Sequence, residues 1–231
     1  MNMKLTDMTV EVLKNYSTIN SNIVFTEGNT ISTIAESRNI LATSTVDMTF
    51  ATKFGVYDLN EFLGVIDLVD EPQIKVEETH AVISDSTGRS KIKYFFTDPA
   101  MVTTPTESML EKARGMNNFV VHFTMDRDTM AKIKRASSAL KHKELSITAS
   151  DGAIRLTVLD KENTTSNTFS IDVPGTYESE DFNFIYSIEN LKVLPGDYEV
   201  GISTKQMSKW TNTDKNITYW LALDKTTTYG A

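Results

Sequence analysis

Two segments of the chain carry apolar residues at helical spacing, Thr6 to Thr18 and Asp128 to Leu140. When successive residues are placed about 100° apart around an axis, each segment gathers its apolar side chains into one sector. These side chains are Val12, Leu13, Tyr16 and Ile19 for the first segment, and Met130, Ile133, Ala136 and Leu140 for the second. The pattern therefore predicts one amphipathic helix in each half of the chain.

Each predicted helix leads into a segment typical of a β-hairpin. From Leu145 to Ile154, strand-like residues flank Asp151-Gly152, which is a strong signal for a tight turn. From Ile23 to Ile31, the turn signal Glu27-Gly28-Asn29 is weaker. The closing strands of the two halves are predicted at Lys91 to Phe96 and at Ile217 to Leu223.

A second similarity links the two halves: Val56 to Phe62 and Ile185 to Leu191 match in chemical type position by position. In each, the end of a strand is followed by a residue suited to cap a helix and then by a short amphipathic helix. In the first half this helix is predicted over Asp58 to Val69. We interpret the chain as an α+β protein with two similar domains, each of antiparallel sheet with two helices. The alternative is a chance similarity between two strand-to-helix junctions.

The connection between the two halves is predicted to be irregular, because Asp98-Pro99, Thr103 to Thr106 and Gly115 interrupt any periodic pattern between Asp98 and Asn118. This places the first domain at residues 1–105, an interdomain connector at 106–116 and the second domain at 117–231.

The composition is that of an ordinary globular protein without cysteine chemistry. A chain of 231 residues with 40% hydrophobic content can bury a core of one large domain or two smaller ones. The absence of cysteine excludes disulfides, thiolate metal ligands and cysteine nucleophiles, and favours a reducing compartment. No run of apolar residues approaches the length of a membrane span, and no export signal is expected.

The net charge of −8 argues at first against nucleic acid, since affinity for DNA depends on cations that neutralise phosphates. The charge is, however, unevenly distributed. From Asp126 to Lys143 there are six basic residues and two acidic ones. Arg127, Lys134 and Lys141 recur every seven residues opposite the apolar sector of the predicted helix. This stripe is either a solvated cationic face or a phosphate-binding surface, and the helix alone leaves both open.

No catalytic motif is found. His80, His122 and His142 are isolated and lack metal-ligand spacing, and the chain has no Walker loop, dinucleotide fingerprint or nucleophile elbow. The acidic runs at 67–71 and 178–181 adjoin predicted turns and are better explained as solvated loop acids than as a two-metal site. We therefore expect a binding protein with no catalytic residues, no metal and no cofactor.

Several segments, in order along nearly the whole chain, resemble the sliding clamps, or polymerase processivity factors, of T-even-type bacteriophages. The resemblance rests on Val12 to Ser21, Val56 to Gly64, Phe182 to Ile185 and Leu194 to Tyr198. It implies the DNA-clamp fold, with three subunits closing a six-domain ring around duplex DNA, no enzymatic activity and no cofactor. It also implies tethering of the replicative polymerase, loading by an ATP-dependent clamp loader, contact with late-transcription factors, and the cytoplasm of the infected host cell.

Three sets of site residues follow as expectations. The residues expected to face DNA are Arg127, Lys134, Arg135 and Lys141, with Lys4, Lys14 and Lys192 as lesser contributors. Those expected at the subunit interface are Ile92, Tyr94 and Phe95 on one side, and Phe169 and Ile171 on the other. Met101, Val102 and Leu159 are the candidates for a pocket that takes a partner's peptide. Because the helices of the first half carry few cations, a uniformly basic channel is not expected.

The interface expectation rests on the physics of sheet edges. An edge strand carries unpaired backbone groups, and pairing with a neighbouring subunit satisfies them. We expect the strand Ser90 to Phe96 of one subunit to meet Ser166 to Asp172 of the next. The alternative is that both strands lie inside their own domains. The competing function is a two-domain interaction scaffold whose basic helix binds an acidic protein without encircling DNA.

Overall fold

The computed structural model describes residues 2–179 and 181–230, so Met1, Glu180 and Ala231 lie outside the described residues. It shows an α+β protein built almost entirely from antiparallel strands, as expected. The chain forms two compact units, Met1–Glu107 and Ser108–Ala231.

The first unit contains two α-helices and eight strands among the described residues. The helices are α1 (Asp7–Ile19) and α2 (Leu59–Asp67). The strands are β1 (Asn2–Met3), β2 (Ile23–Phe25), β3 (Gly28–Ile34), β4 (Ile40–Phe50), β5 (Phe54–Val56), β6 (Gln73–Val76), β7 (His80–Ser84) and β8 (Lys91–Phe95). A 3-10 helix follows at Pro99–Met101.

Both helices of this unit begin at residues with oxygen-bearing side chains. The Thr6 hydroxyl accepts a hydrogen bond from the backbone N–H of Thr9 (3.2 Å), and the Asp58 carboxylate accepts one from Glu61 (2.9 Å). Such bonds satisfy backbone donors that the first turn of a helix leaves free. The buried faces are those expected from the spacing, with Val12, Leu13 and Tyr16 on α1 and Leu59, Phe62 and Leu63 on α2.

The hairpin predicted from Ile23 to Ile31 is wrong. Strand β2 pairs with β5, with Ile23 opposite Val56, whereas β3 pairs with β4. All three residues of β2 are buried, and Phe25 stacks on Phe54 of β5 with ring centroids 4.6 Å apart. Burial of an apolar strand against a distant aromatic partner thus prevails over the weak local turn signal. The remaining strands form a sheet in the order β1-β6-β7-β8.

The second unit contains most of α3 (Glu107–Arg114) and all of α4 (Arg127–Leu140). Its strands are β9 (Val121–Met125), β10 (Glu144–Ser150), β11 (Ala153–Leu159), β12 (Phe169–Val173), β13 (Gly175–Tyr177), β14 (Phe182–Ser187), β15 (Tyr198–Ser203), β16 (Met207–Asn212), β17 (Ile217–Ala222) and β18 (Thr228–Tyr229). One sheet has the order β12-β11-β10-β14-β18, and a second run of strands has the order β13-β9-β15-β16-β17.

The predicted hairpin from Leu145 to Ile154 is confirmed as β10–β11. Its two turn residues, Asp151 and Gly152, have φ angles of +45° and +83°, and Ser150 lies opposite Ala153. This is the backbone that an Asp-Gly turn favours, because both central residues need positive φ. The core of this unit centres on Trp210, whose ring meets Phe123, Tyr186 and Tyr198 edge-on.

The second short helix predicted after Ser187 is a single 3-10 turn, Ile188–Asn190. Ser187 makes no side-chain capping bond, unlike Asp58 at the matching position. Downstream, Pro195 disfavours helical backbone at Leu194, and Leu191, Val193 and Leu194 are all buried. The local sequence therefore sustains one turn where α2 has a full helix.

The segment between Asp98 and Asn118 was predicted to be irregular, and this is wrong for α3. Helix α3 begins at Glu107 and ends at Arg114, with Leu110 buried, an acid in its first turn and Lys112 and Arg114 in its last. These charges lie at the helix ends where the helix dipole favours them. The helix is stabilised by charge placement and one buried leucine, a weaker sequence signal than a full apolar stripe.

Candidate nucleic-acid interface

Helix α4 is fixed at its start by two carboxylates. Asp126 accepts from the backbone N–H of Thr129 (2.6 Å), and this bond lowers the pKa of Asp126. Asp197 accepts from the backbone N–H of Arg127 (2.8 Å). The buried face of the helix presents Thr129, Met130 and Ile133. With one face held in the core, the other must face outward.

The outward face of α4 is basic. The helix carries four basic residues and one acidic residue, and its basic side chains are exposed. These are Arg127, Lys132, Lys134 and Arg135, and Lys141 and Lys143 follow directly. Among the described residues, no ion pair joins any of them to a carboxylate. Cations without internal partners are available to an external anion such as a phosphate.

Two of these cations have distinctive surroundings. Partial desolvation lowers the pKa of Lys134, although its side chain still reaches solvent. Lys141 is the C-cap of α4 and adopts left-handed backbone, with φ +59° and ψ +31°. Lys141 therefore does not continue the seven-residue repeat of Arg127 and Lys134, because its backbone leaves the helical conformation where the helix ends.

The helices of the first unit have the opposite charge. Together α1 and α2 carry one basic residue, Lys14, and four acidic residues. Lys14 forms an exposed ion pair with Asp67, with Nζ and Oδ2 3.5 Å apart. Lys4 and Lys192, the other expected contributors, are exposed. The cationic surface on these helical elements is therefore concentrated on α4 and the residues after it.

The two strands expected at the subunit interface are both sheet edges within the described residues. Strand β8 pairs only with β7, and β12 pairs only with β11. Ile92 and Tyr94 are half-buried on the core face of β8, where the Tyr94 ring meets Phe62 of α2 at 5.1 Å. Phe169 and Ile171 are half-buried on the core face of β12. Phe95 is on the opposite face of β8 and is 64% exposed.

The three candidates for a partner pocket lie in different surroundings. Met101 ends the 3-10 helix of the first unit and is 76% exposed, whereas the next residue, Val102, is buried. Leu159 belongs to the second unit and lines a groove of about 440 Å³ beside the loop between β11 and β12.

A larger groove escaped the reasoning from sequence. It measures about 630 Å³ and lies on the solvent face of β9, β15 and β16, under Phe119. Phe119 lies over Gly201, so close that a Cβ at position 201 would be 2.7 Å from its ring. The nearby His122 ring contacts Phe119 edge-on at 5.6 Å. The available signal was a glycine in the middle of the strand-like run Tyr198 to Ser203, since such a glycine marks a close approach.

Within the described residues, no group of three or more His, Asp or Glu side chains is placed to hold a metal ion. Glu180, part of the acidic run 178–181, lies outside that part of the chain. In residues 2–179 and 181–230, no helix has both the length and the apolar character needed to cross a membrane.

Comparison with known proteins adds three kinds of similarity. Residues 122–225 match the family model described as "gp45 sliding clamp, C terminal". The chain is 30% identical over 205 residues to the sliding clamp of Enterobacteria phage T4, covering 86% of each protein. It is 27% identical over 216 residues to the sliding clamp of Vibrio phage KVP40, covering 90% of this chain and 94% of that protein.

The fold is shared more widely. The crystal structure of the proliferating cellular nuclear antigen from Entamoeba histolytica aligns with a TM-score of 0.66 and 11% identity, covering 93% of this chain and 94% of that one. A complex of PCNA2 and PCNA3 from Sulfolobus tokodaii aligns with a TM-score of 0.67 and 14% identity, covering 96% and 99%. At such identities the similarity establishes the DNA-clamp fold alone.

Proposed function

The chain belongs to the sliding-clamp family of T-even-type phages, and from this premise we propose that three copies of it close a ring around duplex DNA. Sliding clamps are non-enzymatic processivity factors. The ring would hold the replicative polymerase on its template, and the chain itself would carry out no reaction.

The observation that carries the proposal is the segregation of charge between helices. The exposed cations of α4, which form no ion pair with any carboxylate that the structure describes, would face phosphates, while the acidic remainder of the protein would repel the duplex. Contacts to the DNA backbone carry no base information, so a ring that makes only such contacts can move along any sequence. Weak and salt-sensitive attraction, together with closure around the duplex, suits a protein that must slide.

Two edge strands support the closure of the ring. A head-to-tail ring needs two different surfaces on each chain, and β8 and β12 are two different unpaired edges. If β8 of one chain pairs with β12 of the next, the half-buried faces with Tyr94 and Ile171 become continuous. Pairing would also satisfy the backbone groups that each edge now exposes.

Partners follow from the same proposal. We expect a polymerase and an ATP-dependent clamp loader to insert short apolar peptides into a groove, and late-transcription factors to use the same surface. Met101, Val102 and Leu159 remain the proposed contacts. A large exposed methionine suits such a surface because its side chain adapts to different partners. Binding of a polymerase tail peptide that is insensitive to Met101→Asp in a folded variant would exclude this residue.

The decisive experiment compares retention on circular and linear DNA. The chain is loaded by its clamp loader and ATP on a nicked circle, and the salt is then raised. We expect the protein to remain on the closed circle and to leave once the circle is cut, because topology and not affinity would hold it there. Tight binding to linear duplex, or equal loss from circles and linear molecules, would contradict encirclement and favour the scaffold function.

A further inference from the structure

Phe95 is a large aromatic residue that the first unit leaves in solvent. It is 64% exposed on the side of β8 away from the core. Lys93 lies on the same side, with its Nζ 4.7 Å from the centre of the Phe95 ring, and the ring of His80 is 5.7 Å away. Lys91 is exposed on that side as well. The solvent face of β8 therefore presents an aromatic ring next to two lysines, at the free edge of a sheet.

The second unit has a groove beside its own free edge. The groove measures about 440 Å³ and is walled by the loop between β11 and β12. Its apolar floor is formed by Leu159 and Ile185, and Thr168, the residue before β12, lies at its side. Asp160, Lys161 and Glu162 belong to the wall. Because Lys161 is ion-paired with Asp224 (2.9 Å), the wall remains acidic overall beside the apolar floor.

Both features lie on the same side of their sheets. Along β11, Leu156 and Val158 point to the core, so Leu159 points to the opposite, solvent face. On β8, Tyr94 packs against α2, so Phe95 also points away from the core. Residues that pair across an edge share a face of the sheet. If the core faces of β8 and β12 are continuous, then Phe95 and the groove lie on the same outer surface.

We propose that Phe95 of one chain packs at the Thr168 side of this groove in the next chain, towards Leu159. The proposal rests on the ring described above and names the contact that would hold it closed. All strands in the sheets of β8 and β12 are antiparallel. If β8 of one chain also pairs antiparallel with β12 of the next chain, the end of β8 lies beside the start of β12. Phe95 then lies beside Thr168, about two strand spacings, or roughly 10 Å, from Leu159. Parallel pairing would set it at the far end of β12.

Charge complementarity supports a second copy of the chain as the occupant. In the antiparallel arrangement, Lys91 and Lys93 lie next to a groove whose wall carries Asp160 and Glu162. Asp172 is on the same face of β12 but is already ion-paired with Arg155 (2.8 Å). A peptide rich in acids would be repelled from this groove. Leu159 would then serve the contact between subunits, and of the three residues proposed above for the partner pocket only Met101 and Val102 would remain.

The test is a double-mutant cycle on the dissociation of the full-length ring, measured by sedimentation at decreasing protein concentration. Phe95→Ala and Leu159→Ala should each raise the dissociation constant, the first by about tenfold or more, as for a buried aromatic anchor. The double variant should dissociate no more readily than Phe95→Ala alone, because both changes remove one contact. Tyr57→Ala, at an aromatic residue 68% exposed beside α2, is the matched control and should have no effect.

A charge exchange gives an independent measurement on folded variants. Lys93→Glu or Glu162→Lys alone should weaken the ring, and the two together should restore most of it. Two results together would overturn the Phe95 contact: additive effects in the double-mutant cycle, and no rescue by the charge exchange. If the parent protein still forms rings that are retained on circular DNA, these results leave the proposed function standing. A parent that never assembles would overturn both.

Discussion

At the scale of single residues, Tyr94 illustrates how an edge strand is tied to its own unit. Its hydroxyl donates to the backbone oxygen of Asp58 (3.1 Å), and its ring meets Phe62. Burial, with the nearby carboxylates of Glu61 and Asp58 as smaller causes, raises the pKa of Tyr94 to about 12. The same side chain therefore packs against α2 and leaves part of its surface at the free edge of the sheet.

The raised pKa of Tyr94 predicts a loss of stability in alkali. In the unfolded chain a tyrosine has a pKa of about 10, so its contribution is fully present below pH 10. It is lost as the pH rises from 10 to about 12, because the unfolded state releases the proton first. Denaturant unfolding at several pH values should show that Tyr94→Phe flattens this decline. Tyr57→Phe is the exposed control, and an equal flattening there would contradict the assignment.

Two glycines of opposite surroundings give a second prediction. Gly64 lies exposed in α2, and nothing lies within 4 Å of a Cβ added there. Gly64→Ala should stabilise the protein by about 0.5–1 kcal/mol, since alanine loses less entropy in a helix. Gly201→Ala should destabilise it by about 1–3 kcal/mol, because the new methyl displaces Phe119.

Urea unfolding at one fixed protein concentration measures both glycine variants, because assembly would otherwise shift the apparent stability. Equal effects of the same sign at the two positions would show that the Phe119 contact is loose in solution.

The sequence located individual cations but not their partners. Spacing along α4 gave the exposed positions of Lys134 and Arg135 correctly, since one helical repeat determines them. The ion pair between Lys14 and Asp67 joins two helices far apart in the chain, and no local pattern could reveal it. The matched tyrosines Tyr57 and Tyr186 were treated as equivalent, yet the first is exposed and the second fully buried. Environment depends on tertiary neighbours that a short match does not specify.

At the scale of elements, the sequence predicted correctly the features that depend on residues close together in the chain. The cap of α2 and the Asp151-Gly152 turn involve residues a few positions apart, so the sequence predicted them. The pairing of β2 with β5 involves residues about thirty positions apart and was missed. The free edges of β8 and β12 were expected for a physical reason, and both strands are edges in their own sheets.

Helix α4 predicts a specific salt dependence. Replacing Lys134 and Arg135 with glutamine removes two exposed cations in mid-helix without burying new surface. Each lost phosphate contact should reduce the slope of log affinity against log salt by about 0.9, so the pair should reduce it by up to about 1.8. Lys141 is a poorer target, because reversing its charge at the C-cap would also oppose the helix dipole.

The matched control for the α4 variant is Lys75→Gln. Lys75 is exposed on β6 and already paired with Glu77 at 2.6 Å. Fluorescence anisotropy with a short duplex at several salt concentrations gives the slopes, and thermal unfolding confirms that the variants fold. An unchanged slope for the double variant would assign the basic stripe to solvent.

At the scale of the whole molecule, each chain contributes one strongly basic helix and one pair of helices that is acidic overall. In a ring of three chains, the basic and the acidic helices would alternate around the hole. DNA phosphates would then be attracted at three positions, one for each chain, and not at one position for each of the six domains. Such a channel would hold DNA loosely. The sequence could anticipate this unevenness from the counts of charged residues, but not that the single cation of α1 and α2 is already paired.

The closure of the ring at three chains can be tested covalently, because the chain contains no cysteine. Directly opposite residues in an antiparallel pair have Cα atoms about 4.5–5.5 Å apart, within the range that a disulfide spans. Lys93 on β8 would lie opposite Ser170 or Asp172 on β12, depending on register, so Lys93→Cys is combined with a cysteine at each in turn. Oxidation of the correct pair should give covalent products of two and three chains.

The product ladder should stop at three, since a head-to-tail contact that closes leaves no free end. Lys93→Cys alone should give single chains, because the same residue never meets itself in a head-to-tail ring. Light scattering on the reduced protein should give three times the mass of one chain. A ladder that continues beyond three chains would indicate an open helical assembly. If neither cysteine pair gives cross-linked products, the subunits meet through surfaces other than β8 and β12.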